Sequence, residues 1–291
     1  MSVCANAYAK INLTLDLAGR RSDGYHLLRM VMQTVSLCDR VTLEPCSSGE
    51  IHVSCGNSEL DCGGENTVSR AVAAFFSAAG IRTGASFFIE KNIPSQAGLG
   101  GGSSDAAAAL VLLNRVFNVG FSVERLCEIG LSVGADVPFC LRGGTLLAEG
   151  IGEKLSELSP LPECRIVICK PPMGSSTGEA YASLDRAGGK PTYFTDGLLP
   201  ALKQGSLSAV ADVCGNAFES VILIPEVRQI KAVMLQNGAL GSCMTGSGSA
   251  VYGIFSDFGK AEECASALSS RFRDVFLCHP VRSEDCFLLE K

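Results

Sequence analysis

The 291-residue sequence has no apolar run of the roughly 18 residues that a membrane-spanning helix needs. Its first residues, MSVCANAYAKINL, lack a basic region followed by a long apolar core, so they do not predict a signal peptide. Hydrophobic residues still make up 47% of the chain, enough to bury a substantial core. The composition therefore predicts a soluble globular protein without a membrane partner.

Clustered positive charge is also missing. The chain carries 24 Lys and Arg against 30 Asp and Glu, a net charge of -6, and has no long basic cluster. A nucleic-acid-binding face normally needs such a cluster. We expect no nucleic-acid partner, while a local basic pocket for a phosphate remains compatible with this composition.

Patterns that hold metals or disulfides are absent too. The 14 cysteines form no C-x-x-C pair, and with only three histidines we predict no metal cage of side chains. His52 and His279 are predicted to have no functional role. Most cysteines lie in apolar runs, such as Cys127 in ERLCEIGL, where cysteine acts as a small hydrophobe. Free thiols indicate a reducing cytoplasm, and the lack of a transit-like extension before Ala9 favours a bacterial one.

The sequence does contain a glycine-rich segment that opens a helix. A strand-like run ends at Pro94, the segment GLGGGSS follows, and an Ala- and Leu-rich helical stretch comes next. Converging N–H groups at such a helix N-terminus suit a phosphate anion, and serine hydroxyls add donors or help to hold Mg²⁺. The predicted phosphate-binding residues are Gly98, Leu99, Gly100, Gly101, Gly102, Ser103 and Ser104.

Two familiar phosphate motifs fit this segment poorly. It contains no lysine, which excludes a Walker A loop. A dinucleotide fingerprint nearly matches, but Glu124, about 20 residues further on, opens a helix instead of ending a strand. A turn without any ligand remains an alternative, although it would leave a helix N-terminus unsatisfied.

The order of predicted elements indicates an α+β protein. The first 60 residues form strand-like runs, with a turn at residues 38–40. A helix is predicted next, with Asn66 or Thr67 as its N-cap and Gly80 as its C-cap. Pro138 is expected to block a helix, which would put Asp136 at a helix-to-strand corner. The segment GEKLSELSPLPEC is the predicted junction between residues 1–157 and residues 158–291.

Three segments in this order resemble the GHMP small-molecule kinases: AYAKINLTL, IPSQAGLGGGSSDAAAAL and SCMTGSGSAVYG. The resemblance implies two domains, one like ribosomal protein S5 domain 2 and one ferredoxin-like, with ATP and substrate bound in the cleft between them. It also implies an ATP-dependent kinase that uses Mg²⁺ and acts on a small molecule. We expect a monomer or weak homodimer.

RRSDGYH and GADVPFCLRGGTLLAEGIGE are similar to the branch of this family that phosphorylates a cytidine diphosphate-linked polyol in non-mevalonate isoprenoid synthesis. The likeness covers nearly the whole chain and implies transfer to the 2-hydroxyl of the polyol. It departs from the family at Gln96 and Ala97, where small residues, Met and Gly are common, and at Thr245, where Ser is frequent.

The resemblance implies that Asp136, in the ADVP motif, orients or deprotonates the substrate hydroxyl, while Lys10, in AKINL, stabilises charge on the carboxylate and the phosphoryl group. Taken alone, the lysine would be read as a solvated strand residue and the aspartate as a helix or turn cap. The glycine-rich segment in the same chain favours the catalytic interpretation of both.

Substrate contacts are implied less directly. Tyr25 and His26 resemble a pair that stacks on a cytosine and recognises its polar edge, and Tyr181 is a candidate second aromatic wall. Asn12 lies two residues beyond Lys10 on the same strand face and is a candidate contact of the polyol hydroxyls.

Two further sets complete the predicted site. Asn66 is either a nucleoside contact or a helix N-cap. A second glycine-rich turn is predicted to cover the phosphates, unless it is a plain connection between strands; it consists of Thr245, Gly246, Ser247 and Gly248. Mg²⁺ is expected to arrive with ATP, held mainly by phosphates and water.

Two rival functions stay open on the sequence. Another GHMP kinase, acting on a mevalonate derivative, homoserine or a sugar, would share the glycine segment but not the DGYH element. A nucleotide-binding sensor on the same scaffold would have no need for both Lys10 and Asp136.

Overall fold

The computed structural model describes residues 2–20, 26–46, 49–56 and 66–286. The strands are β1 Val3–Arg20, β2 His26–Cys46, β3 Ile51–Cys55, β4 Gly84–Glu90, β5 Thr145–Gly150, β6 Lys154–Glu157, β7 Arg165–Lys170, β8 Gly215–Asn216, β9 Gly241–Met244, β10 Val251–Phe255 and β11 Asp274–Cys278. The α-helices are α1 Thr67–Ala79, α2 Gly101–Val116, α3 Val123–Leu131, α4 Val137–Arg142, α5 Thr177–Arg186, α6 Phe194–Gln204, α7 Leu207–Asp212, α8 Pro225–Gln236 and α9 Phe258–Ser269.

The first sheet is built on the long antiparallel pair β1 and β2 and follows the path β3-β4-β2-β1-β8. The length of β2 allows two partners, since residues 40–46 pair with β4 and residues 28–33 pair with β5. Helix α2 packs on β1 and β2 and also contacts α1 and α4. The sheet and these helices enclose the larger hydrophobic core.

The second sheet contains four antiparallel strands in the order β11-β7-β10-β9. Along the chain, β7 is the first strand of this sheet, β9 the second, β10 the third and β11 the fourth. Their order across the sheet is therefore 4-1-3-2. Helices separate the first strand from the second and the third from the fourth. This is the β-α-β-β-α-β arrangement of a ferredoxin-like domain.

The two parts of the chain share structural elements. Strand β8 comes late in the sequence but pairs in parallel with β1 of the first sheet. Both carboxylate oxygens of Asp16, in β1, accept hydrogen bonds at the N-terminus of α6, from Phe194 N at 2.9 Å and Thr195 N at 2.8 Å. A carboxylate in this position satisfies unpaired N–H groups and the helix dipole. The predicted division at residue 157 stays a prediction.

Two local expectations are wrong. Strand β2 runs straight through residues 38–40 because the fully buried carboxylate of Asp39 is satisfied by the backbone N–H groups of Asn92 and Ile93, at 2.5 and 2.8 Å. Pro138 does not block a helix but lies in the first turn of α4, where its missing N–H costs nothing. Asp136 therefore precedes a helix and not a strand.

Within the described ranges no helix is both long and apolar enough to span a bilayer. The cysteines in these ranges are free thiols. Burial raises the pKa of several of them, to about 12 for Cys164, Cys169 and Cys278. A thiol with such a pKa carries almost no thiolate at neutral pH and is chemically inert, in agreement with the structural role predicted for cysteines in apolar runs.

Candidate active site

A cavity of about 950 Å³ is lined by residues from both parts of the chain. One wall is the glycine-rich segment before α2, and residues 175–185 and 246–248 contribute another. The predicted site residues that line it are Lys10, Asn12, His26, Gly98, Leu99, Gly100, Gly101, Gly102, Ser103, Asp136, Tyr181, Gly246, Ser247 and Gly248. Asn66, Ser104 and Thr245 are outside this lining.

The N-terminus of α2 has free donors at the cavity wall. The helix is preceded by Gly100 in a left-handed conformation, with φ of 73°, and no side chain of the described residues caps it. Its first backbone hydrogen bond runs from Ser104 N to Gly100 O at 2.9 Å, so the N–H groups of the preceding turn have no helical acceptor. This geometry suits an anion.

The two serines of the segment differ in position. The hydroxyl of Ser104 donates to Gly101 O at 2.9 Å, and the residue is buried. Ser103 is half-buried and lines the cavity. Of the two, Ser103 therefore presents its hydroxyl where a ligand can reach it.

The second glycine turn packs directly on the first. A Cβ atom at Gly98 would lie 2.2 Å from the carbonyl oxygen of Thr245, and one at Gly246 would lie 2.9 Å from Gly98 Cα. The backbone N–H of Ala250 also donates to Ala97 O at 3.1 Å. Only glycine permits this approach, which brings both glycine-rich segments to the same cavity.

Lys10 reaches the cavity because β1 changes face twice. Its register with β2 is irregular between Tyr8 and Lys10 and again between Asn12 and Thr14. On either side of this segment, residues such as Ala7 and Leu15 belong to the core under α2, whereas Ile11 packs towards the second sheet. Each irregularity reverses the side-chain alternation. Lys10 and Asn12 consequently point towards α2 and the cavity.

Lys10 and Asp136 form an ion pair, with Lys10 Nζ 3.4 Å from Asp136 Oδ2. The lysine side chain is 6% exposed and the aspartate side chain 30% exposed, so the carboxylate is the more accessible partner. Asp136 occupies the N-cap position of α4 but makes no capping hydrogen bond. Neither side chain therefore matches the structural alternative, a solvated lysine or a helix cap.

Asn12 links the segments around this pair. Its Oδ1 accepts hydrogen bonds from Lys10 Nζ at 2.9 Å and from Gly246 N at 3.0 Å. Its Nδ2 lies 3.2 Å from the thioether sulfur of Met30, a weak acceptor. The amide oxygen is thus committed to the protein, and the amide nitrogen of this fully buried side chain faces the weak acceptor.

His26 and Tyr181 also line the cavity, and their rings stack with centroids 5.1 Å apart and an interplanar angle of 23°. Tyr181 also makes an edge contact with Phe218, at 5.1 Å and 84°. Burial, with a further effect of the Asp136 charge, raises the pKa of Tyr181 to about 12, so its hydroxyl stays protonated. Tyr25, predicted beside His26, lies outside the described residues.

The remaining predicted residues have simpler positions. Asn66 caps α1, its Oδ1 accepting from Val68 N at 2.8 Å. His52 lies 3.0 Å from the carboxylate of Glu50 at the surface, and His279 Nδ1 lies 3.2 Å from the carbonyl oxygen of Pro280. Neither histidine lines the cavity. Across the described ranges no group of three or more His, Cys, Asp or Glu side chains is arranged to hold a metal.

Sequence reasoning missed a buried charged cluster behind the glycine-rich segment. Lys91 Nζ donates to the carboxylates of Asp39 and Asp105, the latter at 2.6 Å, and it lies 3.5 Å from where a Cβ of Gly101 would be. Burial tends to lower the pKa of Lys91, but the two carboxylates outweigh burial and raise it. Lys91 is therefore charged and lines the cavity behind the glycine-rich segment, with its ammonium group shared by the two carboxylates. EKNIP has no feature that distinguishes this lysine from a surface one.

A second missed residue orders the C-terminal glycine turn. Asn216, in β8, is buried and its Nδ2 donates to Met244 O at 2.7 Å and Gly246 O at 2.8 Å. Its Oδ1 accepts from Phe218 N at 2.9 Å. Because β8 pairs with β1, this one side chain fixes the turn relative to the strand that carries Lys10.

Family models match two regions of the chain: GHMP kinases N terminal domain over residues 66–144 and GHMP kinases C terminal over residues 198–274. A 4-diphosphocytidyl-2-C-methyl-D-erythritol kinase of Pelotomaculum thermopropionicum is 44% identical over 91% of this chain and 93% of its own length. That of Clostridium kluyveri is 43% identical over 94% and 99%.

Among solved structures, a crystal structure of 4-(cytidine 5'-diphospho)-2C-methyl-D-erythritol kinase superposes with a TM-score of 0.81, at 33% identity, over 95% of this chain and 98% of that chain. The predicted α+β, two-domain GHMP kinase fold is thereby confirmed. The chain belongs to the GHMP kinases and, among them, to the 4-diphosphocytidyl-2-C-methyl-D-erythritol kinases.

Proposed function

We propose that this kinase transfers the γ-phosphoryl group of ATP to the 2-hydroxyl of 4-diphosphocytidyl-2-C-methyl-D-erythritol, giving the 2-phosphate and ADP, in the non-mevalonate route to isoprenoid precursors. Membership of the GHMP kinases implies ATP as the donor, and the names of the relatives supply the acceptor. The observation that carries the proposal is the Lys10 and Asp136 pair, 3.4 Å apart, in the same cavity as the uncapped start of α2.

The pair supplies what phosphorylation of an alcohol requires. Asp136 is exposed enough to meet the substrate hydroxyl, which it orients and whose proton it accepts as the oxygen attacks phosphorus. Lys10 is buried beside it and offsets negative charge on the transferring phosphoryl group. A positioned base of this kind contributes about 10²–10⁴-fold to the rate.

The phosphates of ATP are held by backbone donors. The N–H groups of residues 98–103 and the positive end of the α2 dipole bind the phosphate oxygens, with the Ser103 hydroxyl as an extra donor. The turn at Thr245–Gly248 closes over them from the C-terminal part, since it packs against Gly98.

The residues present fit Mg²⁺ that arrives with the nucleotide. The cavity offers isolated oxygen donors, the Asp136 carboxylate and the Ser103 hydroxyl, and the described ranges contain no three-ligand cage. Mg²⁺ keeps several waters and is usually bound through one or two protein groups plus phosphates. When bound, it neutralises charge on the phosphates.

The acceptor's base and polyol occupy the end of the cavity with His26 and Tyr181. The rings of His26 and Tyr181 provide a stacking surface and polar atoms for a cytosine. Asn12, whose Oδ1 accepts from Lys10 Nζ, keeps its proposed place beside the polyol hydroxyls. Tyr25 keeps its proposed role of stacking on the cytosine, and Asn66 keeps its proposed role as a contact of the nucleoside. The relatives are bacterial, and we place this enzyme in a bacterial cytoplasm as a monomer or weak homodimer without nucleic-acid partners.

The test is ADP release with Mg-ATP and the named acceptor, with identification of a new phosphate on the 2-hydroxyl. Asp136→Ala should lower turnover at least about 100-fold. Asp212→Ala removes an exposed carboxylate at the end of α7 and serves as the matched control, with turnover unchanged.

The other outcomes would favour a rival function or overturn the role of Asp136. Turnover with mevalonate or homoserine but not with the named acceptor would retain the kinase and overturn the substrate. ATP binding without turnover on any alcohol would favour a sensor. An Asp136→Ala variant as active as the control would overturn the role of the carboxylate.

A further inference from the structure

The carboxylate of Asp185, in α5, contacts the ring of His26 at the base-binding end of the cavity. Asp185 Oδ1 lies 2.8 Å from His26 Nε2, and the imidazole is only 9% exposed. Arg20 donates a hydrogen bond to the same Oδ1, and its Nη2 is 3.2 Å from Nε2. No part in the reaction has been given above to Asp185 or Arg20, although Asp185 lines the cavity.

These contacts decide where the imidazole carries its proton. Burial, and then the Arg20 charge, lower the pKa of His26, so the ring is neutral at neutral pH and has a single N–H. A carboxylate only accepts hydrogen bonds, so a bare Nε2 at 2.8 Å would oppose two lone pairs. The guanidinium of Arg20 is already directed at Oδ1 and is the more distant neighbour of Nε2. The N–H therefore lies on Nε2, and Nδ1 is an acceptor.

We propose that Asp185 is a positioning residue for substrate choice, which fixes His26 in the tautomer whose Nδ1 accepts a hydrogen bond from the exocyclic amino group of a cytosine. This inference rests on the proposed function, because it concerns the base of that acceptor. Among the described residues, the hydrogen-bond partners of this imidazole, Arg20 and Asp185, lie at Nε2 and none lies at Nδ1. The stack on Tyr181, itself held by Phe218, limits rotation of the ring.

The tautomer distinguishes cytosine from uracil. Cytosine presents an amino donor at C4, which matches an accepting Nδ1. Uracil presents a carbonyl oxygen at the same place, so two acceptors would face each other in a partly dry site. Sites built around a hydrogen bond reject the analogue that leaves it unmade far more strongly than apolar pockets reject a change of size.

The first experiment compares kcat/KM for the cytidine acceptor with that for the same diphosphate-linked polyol carrying uridine. We expect the wild type to prefer cytidine by at least about 100-fold. Asp185→Asn should reduce this ratio by at least about tenfold, because an amide can donate to Nε2 and so permit the opposite tautomer. The change should appear mainly in KM, since the base takes no part in phosphoryl transfer. Glu179→Gln, an exposed substitution on the same helix, is the control and should keep the wild-type ratio.

The second experiment reads the tautomer directly. The chain has only three histidines, so ¹⁵N NMR of its imidazoles gives few signals, and His26→Gln assigns those of His26. We expect a protonated Nε2 and a bare Nδ1 in the wild type at neutral pH, with the protonated fraction of Nδ1 rising in Asp185→Asn.

The outcomes separate the two ideas. A wild-type ring protonated on Nδ1, or a preference unchanged in Asp185→Asn, overturns the role of Asp185. Failure of the wild type to phosphorylate either acceptor overturns the proposed function instead, and the NMR measurement still decides the tautomer. If the Asp185→Asn variant is destabilised, the wild-type NMR spectrum alone decides whether His26 is protonated on Nε2 as the proposal requires.

Discussion

Gly98 and Gly120 have the same backbone φ of 75° in different surroundings. Around Gly120 there is open space, whereas a Cβ at Gly98 would meet the Thr245 carbonyl at 2.2 Å. Comparing the same substitution at both positions therefore separates the cost of the backbone conformation from the cost of lost contact between the two glycine segments.

We predict that Gly120→Ala costs about 1–2 kcal/mol of unfolding free energy, the usual price of a left-handed conformation for an L-residue. Gly98→Ala should cost several kcal/mol more and lower kcat/KM at least about tenfold, because the Thr245–Gly248 turn has to move away from the phosphate loop. Urea unfolding and steady-state kinetics measure the two effects. Equal losses of stability and activity at both positions would show that the close packing of the segments is unimportant.

At the scale of elements, the cluster of Lys91 with Asp39 and Asp105 joins β2, the residue after β4, and α2. Two buried carboxylates share one ammonium group, and the buried atom Asp105 Oδ1 has no hydrogen-bond partner among the described residues. Burial raises the pKa of Asp105 to about 7, Lys91 opposes this rise, and the Asp39 charge adds to it. The fold thus holds an aspartate that is partly protonated at neutral pH.

We predict that this carboxyl makes the protein less stable as the pH rises from about 4 to 7. In that window the folded state keeps a proton that the unfolded state, with an ordinary pKa of 3.8, has lost. Asp105→Asn should flatten this part of the stability curve, by roughly 2–4 kcal/mol between its ends.

Melting temperatures between pH 4 and 8 provide the measurement for wild type and Asp105→Asn. Asp212→Asn, at an exposed position, should leave the slope as it is. A curve for Asp105→Asn that remains parallel to the wild-type curve would mean that Asp105 is ionised in the folded protein throughout this range.

Elements that are specified by local chemistry were predictable from the sequence. Helix α1 is one, since Asn66 caps its start and Gly80 ends it in a left-handed conformation. The turn expected at residues 38–40 was wrong because Asp39 is satisfied by backbone groups more than 50 residues away, at Asn92 and Ile93. No local pattern reports such a partner.

The site divides in the same way. The glycine-rich segment, Lys10 and Asp136 are conspicuous in the sequence and come together in one cavity. The face on which Lys10 lies depends on two register irregularities in β1, which alternation alone does not reveal. Lys91 and Asn216 likewise acquire their contacts only through tertiary structure.

At the scale of the whole molecule, two hydrogen bonds from the start of α6 to Asp16 connect the C-terminal part of the chain to the first sheet. The carboxylate is buried and serves two N–H groups that lie about 180 residues further along the chain. Ser122 provides a comparison, because it caps α3 locally by accepting from Arg125 N at 3.3 Å.

We predict that Asp16→Ala costs about 2–4 kcal/mol, since one buried and one partly buried N–H group lose a charged acceptor. Ser122→Ala should cost about 1 kcal/mol, the usual value for a helix cap. Chemical denaturation followed by fluorescence and circular dichroism measures both variants. Similar small losses would show that the cap on α6 contributes no more than a local one.

The hydrogen bonds between Asp16 and α6 also affect how the chain folds during its synthesis. When residue 157 has emerged from the ribosome, the first sheet still has an open edge on β1 and a carboxylate at Asp16 without its helix. Both are completed only after α6 and β8, up to residue 216, have been made. An exposed strand edge is a common starting point for aggregation. The nascent chain therefore passes through a stretch of translation in which protection by a chaperone matters most.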